Sequence, residues 1–241
     1  MKRIIRATLG ICPCCKQYTV FIATTYWLRD HYKCARCGSI PRQRALMKTL
    51  KEQCPEYKNL KIHEGSPSGA TFKQLTKECK DYSFSYYYGE KYQKGERLDS
   101  GATNQNLEDL AFEDESFDVF ISQDVMEHVN NPARAFAEIS RVLKKGGVHI
   151  FTTPIYHFQK TRARVKVENG QVVNILPEIY HGNPISAKGS LVTYDWGNDI
   201  GDFIEHSSGM KSEIIEFQKT KANYRAGLDA DFLEVVVSKK V

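Results

Sequence analysis

The sequence lacks any run of about 18 apolar residues, so no part of it reads as a membrane-spanning helix. Its opening, MKRIIRATLGICPCC, has basic residues and a short apolar patch but no small-residue cleavage site, so a secretory leader is not expected. No block of like charges, low-complexity tract or internal repeat is present, which excludes a polyelectrolyte tail or a repeat array. Neither charge sign dominates. The formal net charge of +5 permits nucleic-acid binding without demanding it. Cysteine is scarce outside one stretch: of seven, only Cys54 and Cys79 lie beyond positions 12 to 37. Clustered thiols without a leader point to a metal rather than to disulfides, and to a cytoplasmic location.

What is present fits a globular chain. Hydrophobic residues make up 41% and charged residues 26% of 241 positions, enough for one sizeable core with a small appendage. The appendage is expected over residues 1–40. Cys12 and Cys15 form one C-x2-C pair and Cys34 and Cys37 a second, the spacing of a zinc ribbon. Four thiolates give zinc a closed tetrahedral site that holds structure and leaves no open position for chemistry. Cys14 could replace Cys12, although the spacing favours Cys12 and Cys15. Between the pairs, YTVFIATTYW is rich in β-branched and aromatic residues and predicts the ribbon's strands.

Residues 41–241 are expected to form a second unit. RQRALMKTLKEQ predicts a helix with Ala45, Leu46, Thr49 and Leu50 facing inward and Arg42 and Arg44 at its start, where they meet an anion, a carboxylate from elsewhere, or solvent. Beyond it strand and helix alternate: LKIHEG, ATFKQLTKEC, YSFSYYY, FDVFISQD, PARAFAEISRVLKKGG (a helix ended by glycines) and VHIFTTP. Alternation of this kind predicts an α/β fold, a parallel sheet covered by helices, with ligands at the carboxyl ends of its strands.

Within that unit, LAFEDESFDVF, EHVNNP and ISRVLKKGGVHIF fall in one order and spacing across residues 106–154. This stretch resembles the class I S-adenosylmethionine-dependent methyltransferases. Together with the ribbon, CGSIPRQRAL and HEGSPSG, it is similar to a bacterial type 11-like subgroup carrying an N-terminal zinc ribbon. The resemblance implies a Rossmann-like, seven-stranded methyltransferase sheet and S-adenosylmethionine as cofactor. IHEGSPSG takes the place of the family's first glycine loop, with Gly65, Ser66 and Gly69 against the ligand. The family's acid for the ligand's amino group stands two residues before the first glycine. Here that position is His63, with Glu64 next to it. No acid stands at the ribose position near Tyr87, and Glu90 is the nearest candidate. Asn106 and Leu107 match the pair that meets adenine, and Gln123 is expected near the transferred methyl group.

The segment ISQDVMEHV places Asp124, Glu127 and His128 at i, i+3 and i+4, one face of a helix. Ubiquinone-pathway O-methyltransferases and those of small-RNA 3′ ends carry acid-x-x-Glu-His here. Resemblance to them implies a second, divalent cation that grips acceptor hydroxyls, with a further His from beyond the fifth strand. His181 in EIYHGNP is the match, and His157 is nearer in sequence but matches less well. Acid–base or purely structural roles for the four residues stay open, His128 or His181 then accepting the acceptor's proton. Tyr194 and Trp196 in TYDWG are expected either as an acceptor platform or as core. The subgroup resemblance implies methylation of a hydroxyl or amine on a small molecule, most simply a sugar or polysaccharide-pathway acceptor. The alternatives are an RNA methyltransferase gripping RNA through the ribbon's YWLRDHYK, and a non-catalytic zinc module on a degenerate methyltransferase fold.

Overall fold

The computed structural model describes residues 3–183 and 186–241. Three antiparallel strands come first: β1 (Arg6–Ile11), β2 (Tyr18–Ala23) and β3 (Tyr32–Cys34), with one turn of helix, α1 (Leu28–His31), before β3. Helix α2 (Pro41–Gln53) follows, and Ala45, Leu46, Thr49 and Leu50 are all fully buried on its inner face. Burying a side chain the size of leucine is worth about 1.5–3 kcal/mol, so this face fixes the helix on the sheet.

The central sheet is built from β4 (Lys61–Gly65), α3 (Gly69–Glu78), β5 (Asp81–Tyr86), β6 (Thr103–Asn104), β7 (Phe117–Gln123), α4 (Pro132–Val142) and β8 (Leu143–Thr152). A set of short strands then interrupts the chain: β9 (Ile155–Tyr156), β10 (Arg162–Ala163), the hairpin β11 (Val165–Glu168) and β12 (Gln171–Asn174), the pair β13 (Tyr180–Asn183) and β14 (Ser186–Leu191), and β15 (Tyr194–Gly197). The fold closes with α5 (Ile200–Ser208), β16 (Lys211–Glu216), α6 (Lys221–Arg225) and β17 (Glu234–Lys239). The seven-stranded sheet has the order β16-β17-β8-β7-β4-β5-β6. Strands β4 to β8 run parallel, and β17 lies antiparallel between β8 and β16. The order reverses between β4 and β7, and a crevice at such a switch point is where an open α/β sheet takes its ligand.

One helix boundary differs from the sequence reading. Helix α4 ends at Val142, because Leu143 is already extended, and the glycines expected to stop it stand inside the entry to β8. The N-terminal strands do not form a separate core. Cys12, Phe21, Ala23, Tyr32 and Cys34 share one apolar cluster with α2, with Ile62 of β4 and with Val235 of β17. Buried Arg44 rivets this contact, donating to the Tyr32 and Gly227 carbonyls at 2.8 and 2.7 Å. Among the described residues no helix is long and apolar enough to cross a membrane.

Candidate active site

A cavity of about 1330 Å³ opens at the carboxyl ends of the parallel strands. Single-ligand sites are typically about 300–1,000 Å³, so there is room for a cofactor and an acceptor together. One end is lined by Gly65, Ser66 and Ser68 after β4, by Tyr86 to Tyr88 after β5, by Gln105 to Glu108 after β6, and by Gln123 at the end of β7. The other end holds Asp124, His128, Tyr156, His181 and Phe232, and the N-terminal module adds Trp27, Arg29, Asp30 and His31.

Several residues expected to meet a cofactor line this cavity, among them Gly65, Ser66, Asn106, Leu107 and Gln123. Ser66 adopts φ 54°, the left-handed turn that glycine usually supplies, and its N–H donates to the Ser85 carbonyl at 2.8 Å. Leu107 packs beside Gly65. The Asn106 carboxamide oxygen accepts the Glu108 N–H at 3.0 Å and fixes the loop. Tyr87, half exposed, stands at the rim, but Glu90 is exposed and does not line the cavity.

His63, Glu64 and Gly69 do not line the cavity either, and the reason lies in the pleat. Successive β4 side chains point to opposite faces, and both faces are covered. His63 is fully buried among Phe112, Phe117 and Phe120, bonded to the Ser83 and Ser85 hydroxyls at 2.9 Å each. Burial pushes its imidazole down to about 3, so it stays neutral. Glu64, on the other face, accepts from Tyr82 Oη and Gln123 Nε2 at 2.6 Å each and thereby sets Gln123. Gly69, at φ 63°, lies where a Cβ would strike the Gln43 side chain. Gln43 of α2 donates to the Ser68 carbonyl at 3.2 Å, so this glycine admits a helix rather than a ligand.

Burial raises the Glu64 carboxyl from its ordinary 4.5 to about 7, against its two hydrogen bonds. An unfolded chain loses this proton near 4.5 while the folded chain keeps it to about 7, so unfolding in that window releases a proton. The stabilisation is complete below 4.5, falls as pH rises, and is gone above about 7, a span on the order of 3 kcal/mol. Glu64→Gln is expected to flatten the pH dependence of urea unfolding between pH 5 and 7.5 relative to the wild type. An unchanged slope would refute the assignment.

The second cluster follows β7. The helical spacing of Asp124, Glu127 and His128 does not hold. Asp124 sits at φ 51°, in the left-handed region, and only Met126–His128 form a single 3-10 turn. The two stretches are held from different directions. Asp124 accepts both Arg29 guanidinium nitrogens at 2.7 Å and the Thr152 hydroxyl at 2.9 Å, with Arg42 Nε 3.3 Å away. Burial alone would raise the Asp124 carboxyl, but Arg29 and Arg42 hold it below the usual carboxylate range. Thr193, just after β14, donates from its backbone N–H to the Glu127 carbonyl at 2.7 Å and from its hydroxyl to the Val129 carbonyl at 2.6 Å, tying the turn to the inserted strands.

Glu127, His128 and His181 converge. Glu127 Oε2 accepts the Thr153 hydroxyl at 3.0 Å, while Glu127 Oε1 is buried and has no hydrogen-bond partner. That oxygen lies 3.9 Å from His128 Nε2 and 4.0 Å from His181 Nδ1, and the two rings meet edge to face at 5.3 Å. His128 Nδ1 lies 2.8 Å from the Leu191 carbonyl, which can only accept, so Nδ1 carries the proton and Nε2 presents a lone pair. Burial lowers both imidazoles, which favours the neutral, ligating form. One ligand atom from each residue lies within 4.8 Å of the others. Ligands at about 2.1 Å from one ion would stand closer together, so cation binding would draw the three in slightly. His157 is elsewhere, paired with Glu234 at 2.7 Å.

The four sulfurs of Cys12, Cys15, Cys34 and Cys37 also gather within 4.8 Å of one another. Cys12 and Cys37 Sγ are 3.7 Å apart, against the ~3.8 Å that tetrahedral zinc with 2.3 Å bonds requires. Cys14 Sγ lies 3.5 Å from the Gln43 carbonyl and is not one of the four gathered sulfurs, which include Cys12. Tyr194 and Trp196 do not face the cavity. Trp196 is fully buried, the two rings stack at 5.3 Å, and both belong to the core beneath α4 and α5.

Residues 63–151 match the family model described as a methyltransferase domain. The chain contains a class I S-adenosylmethionine-dependent methyltransferase domain. The chain is 29% identical over 126 residues to a glycine/sarcosine/dimethylglycine N-methyltransferase of Actinopolyspora halophila, a match covering 52% of this chain and 22% of that relative. The chain therefore spans only about a fifth of that relative's length. Two solved structures share the methyltransferase fold. An S-adenosylmethionine-dependent methyltransferase from Mesorhizobium loti matches at a TM-score of 0.52 and 21% identity, over 81% of this chain and 98% of that one. An S-adenosylmethionine-bound amino pentose methyltransferase from Micromonospora echinaspora matches at 0.50 and 12%, over 85% and 93%.

The sequence reading gave Arg29 and Asp30 only a place in the RNA-gripping stretch YWLRDHYK, and it missed Gln43. A charged residue in a small ribbon reads as solvated, and nothing local shows that a distant carboxylate waits for it.

Proposed function

We propose that the protein transfers a methyl group from S-adenosylmethionine to a hydroxyl oxygen of a small-molecule acceptor, with a divalent cation held by Glu127, His128 and His181. A structural zinc on Cys12, Cys15, Cys34 and Cys37 completes the reading. The observation that carries it is the buried Glu127 Oε1 without a partner, facing two neutral imidazole nitrogens. Two imidazoles and a carboxylate form a set that binds first-row divalent metals and leaves positions open for acceptor oxygens. A cation there supplies Lewis acidity that lowers the pKa of a coordinated hydroxyl.

The chain's own residues do the positioning. Thr153 and the Leu191 carbonyl aim Glu127 and His128, and Arg29 locks Asp124 at the head of the same loop. Gly65, Ser66, Asn106, Leu107 and Gln123 border the space that suits the cofactor. The acceptor hydroxyl gives up its proton to solvent, and its oxygen bonds to the methyl carbon as the sulfur–methyl bond breaks, so alignment of the three atoms supplies much of the rate. Among acceptors, a sugar hydroxyl suits this chemistry, as subgroup resemblance implies. The RNA reading loses two of its expected contacts, because Arg29 is engaged with Asp124 and Tyr32 is fully buried.

The test is incubation with labelled cofactor and separate pools of sugars, nucleotide sugars, small aromatic diols, amines and RNA, with and without chelator. Label is expected in a hydroxylated small molecule, lost on chelation and restored by magnesium or manganese. The four-cysteine zinc is assayed in parallel to show that it stays bound. Turnover indifferent to chelation would remove the cation, and label confined to amines or RNA would remove the hydroxyl acceptor.

A further inference from the structure

The acceptor end of the cavity has a wall that the mechanism above does not use. Trp27 of the N-terminal module is 48% exposed, Phe232 from the loop before β17 is 38% exposed, and both line the cavity with Tyr156 from just beyond β8. The three rings form a continuous run: Trp27 to Phe232 at 6.1 Å and Phe232 to Tyr156 at 6.2 Å between centroids. Trp196, Phe136 and Phe151 are fully buried, whereas Trp27 and Phe232 stay open toward the cavity.

The wall is also built. The Trp27 indole N–H donates to Asp30 Oδ2 at 2.8 Å, and Asp30 Oδ1 accepts from Arg42 Nε at 2.9 Å, so the indole has a fixed orientation. Arg29 spans the two clusters. Its guanidinium forks onto Asp124, and its Nε donates to the Phe232 carbonyl at 2.8 Å. Phe232 is held at φ 54°, a left-handed conformation that a bulky residue rarely adopts and that collects at functional sites. One buried arginine thus sets the distance between the aromatic wall and the loop that carries Glu127 and His128.

We propose that Trp27, Phe232 and Tyr156 form the acceptor-binding wall, and that the acceptor is a six-membered ring with adjacent hydroxyls. Its apolar face stacks on this wall and its hydroxyl edge faces Glu127, His128 and His181. The direction in which the acceptor faces rests on the hydroxyl-methylation reading, while the wall stands on geometry alone. Ring faces gain from stacking on indole and phenyl groups, and Asp30 keeps acceptor capacity for a ring hydroxyl. Sugar rings and aromatic diols both present this chemistry.

Fluorescence separates the wall from turnover. The chain has two tryptophans, and Trp196 is fully buried, so iodide quenching reports Trp27. Protein saturated with S-adenosylhomocysteine is titrated with catechol and, separately, with methyl α-glucopyranoside. At least one ring is expected to shield Trp27 from iodide, and which one does so identifies the ring type. With the acceptor that turns over, Trp27→Ala is expected to raise KM about tenfold or more and change kcat far less, leaving the cofactor KM unchanged, while Trp27→Phe restores most of the affinity. No shielding by either ring, or an acceptor KM within about twofold in Trp27→Ala, overturns the proposal. Shielding without methylation in the presence of added magnesium would keep the wall and reject hydroxyl methylation.

Discussion

Replacing Cys34 with serine is expected to release the zinc and unfold the N-terminal strands, taking methyl transfer with them. Structural zinc contributes roughly 10–16 kcal/mol to the folding of isolated zinc-finger peptides, far more than a small three-stranded sheet holds by packing. Here the loss would spread, because Cys12, Phe21, Tyr32 and Cys34 share an apolar cluster with α2 and β17. It would also free Asp124, since Arg29 lies between the two cysteine pairs. Metal analysis of the wild type should give one zinc per chain, and Cys34→Ser should give none, with a lower melting temperature and rapid cleavage near residue 30 under limited proteolysis. Cys14→Ser is the control, because its sulfur lies 3.5 Å from the Gln43 carbonyl and outside the group of four. Equal zinc content in wild type and Cys34→Ser, or zinc lost only in Cys14→Ser, would refute the assignment.

Glu127→Gln is expected to lower kcat by about 10²-fold or more, the scale of losing charge stabilisation and proton handling at the acceptor oxygen. The substitution keeps the size and the hydrogen bond from Thr153 but removes the carboxylate that would hold a cation between His128 and His181. His181→Ala should act in the same direction, and both variants should need more magnesium or manganese to reach half-maximal rate. Affinity for S-adenosylhomocysteine should stay near wild type, since neither residue belongs to the end of the cavity bordered by Gly65, Ser66 and Leu107. A Glu127→Gln protein with wild-type kcat and metal requirement would show that the cluster is structural.

The architecture was legible in the sequence because its signals are local. Strand and helix periodicities alternate through residues 60–152, and α2 buries the very positions its 3.6-residue period selects. The two C-x2-C pairs bring four sulfurs together because each pair spans one tight turn and the strands between them return antiparallel. His181 meets His128 because the strands inserted after β8 fold back over the carboxyl ends of the sheet, where the topology puts any such insertion.

Tertiary structure alone decided the rest. Alternation tells that His63 and Glu64 face opposite sides of β4, but both sides of a doubly covered sheet are buried, so neither reaches the cleft. Helical spacing grouped Asp124 with Glu127 and His128, yet a left-handed residue at 124 breaks the helix, and the group is held by Arg29 from one side and by Thr193 from the other. The aromatic pair at Tyr194 and Trp196 went to the core, while Trp27 and Phe232, which nothing in their neighbourhoods connects, were placed side by side. A sequence fixes such choices only through contacts from about 60 to about 200 residues apart. Packing and charge pairing across that distance leave no local period to read.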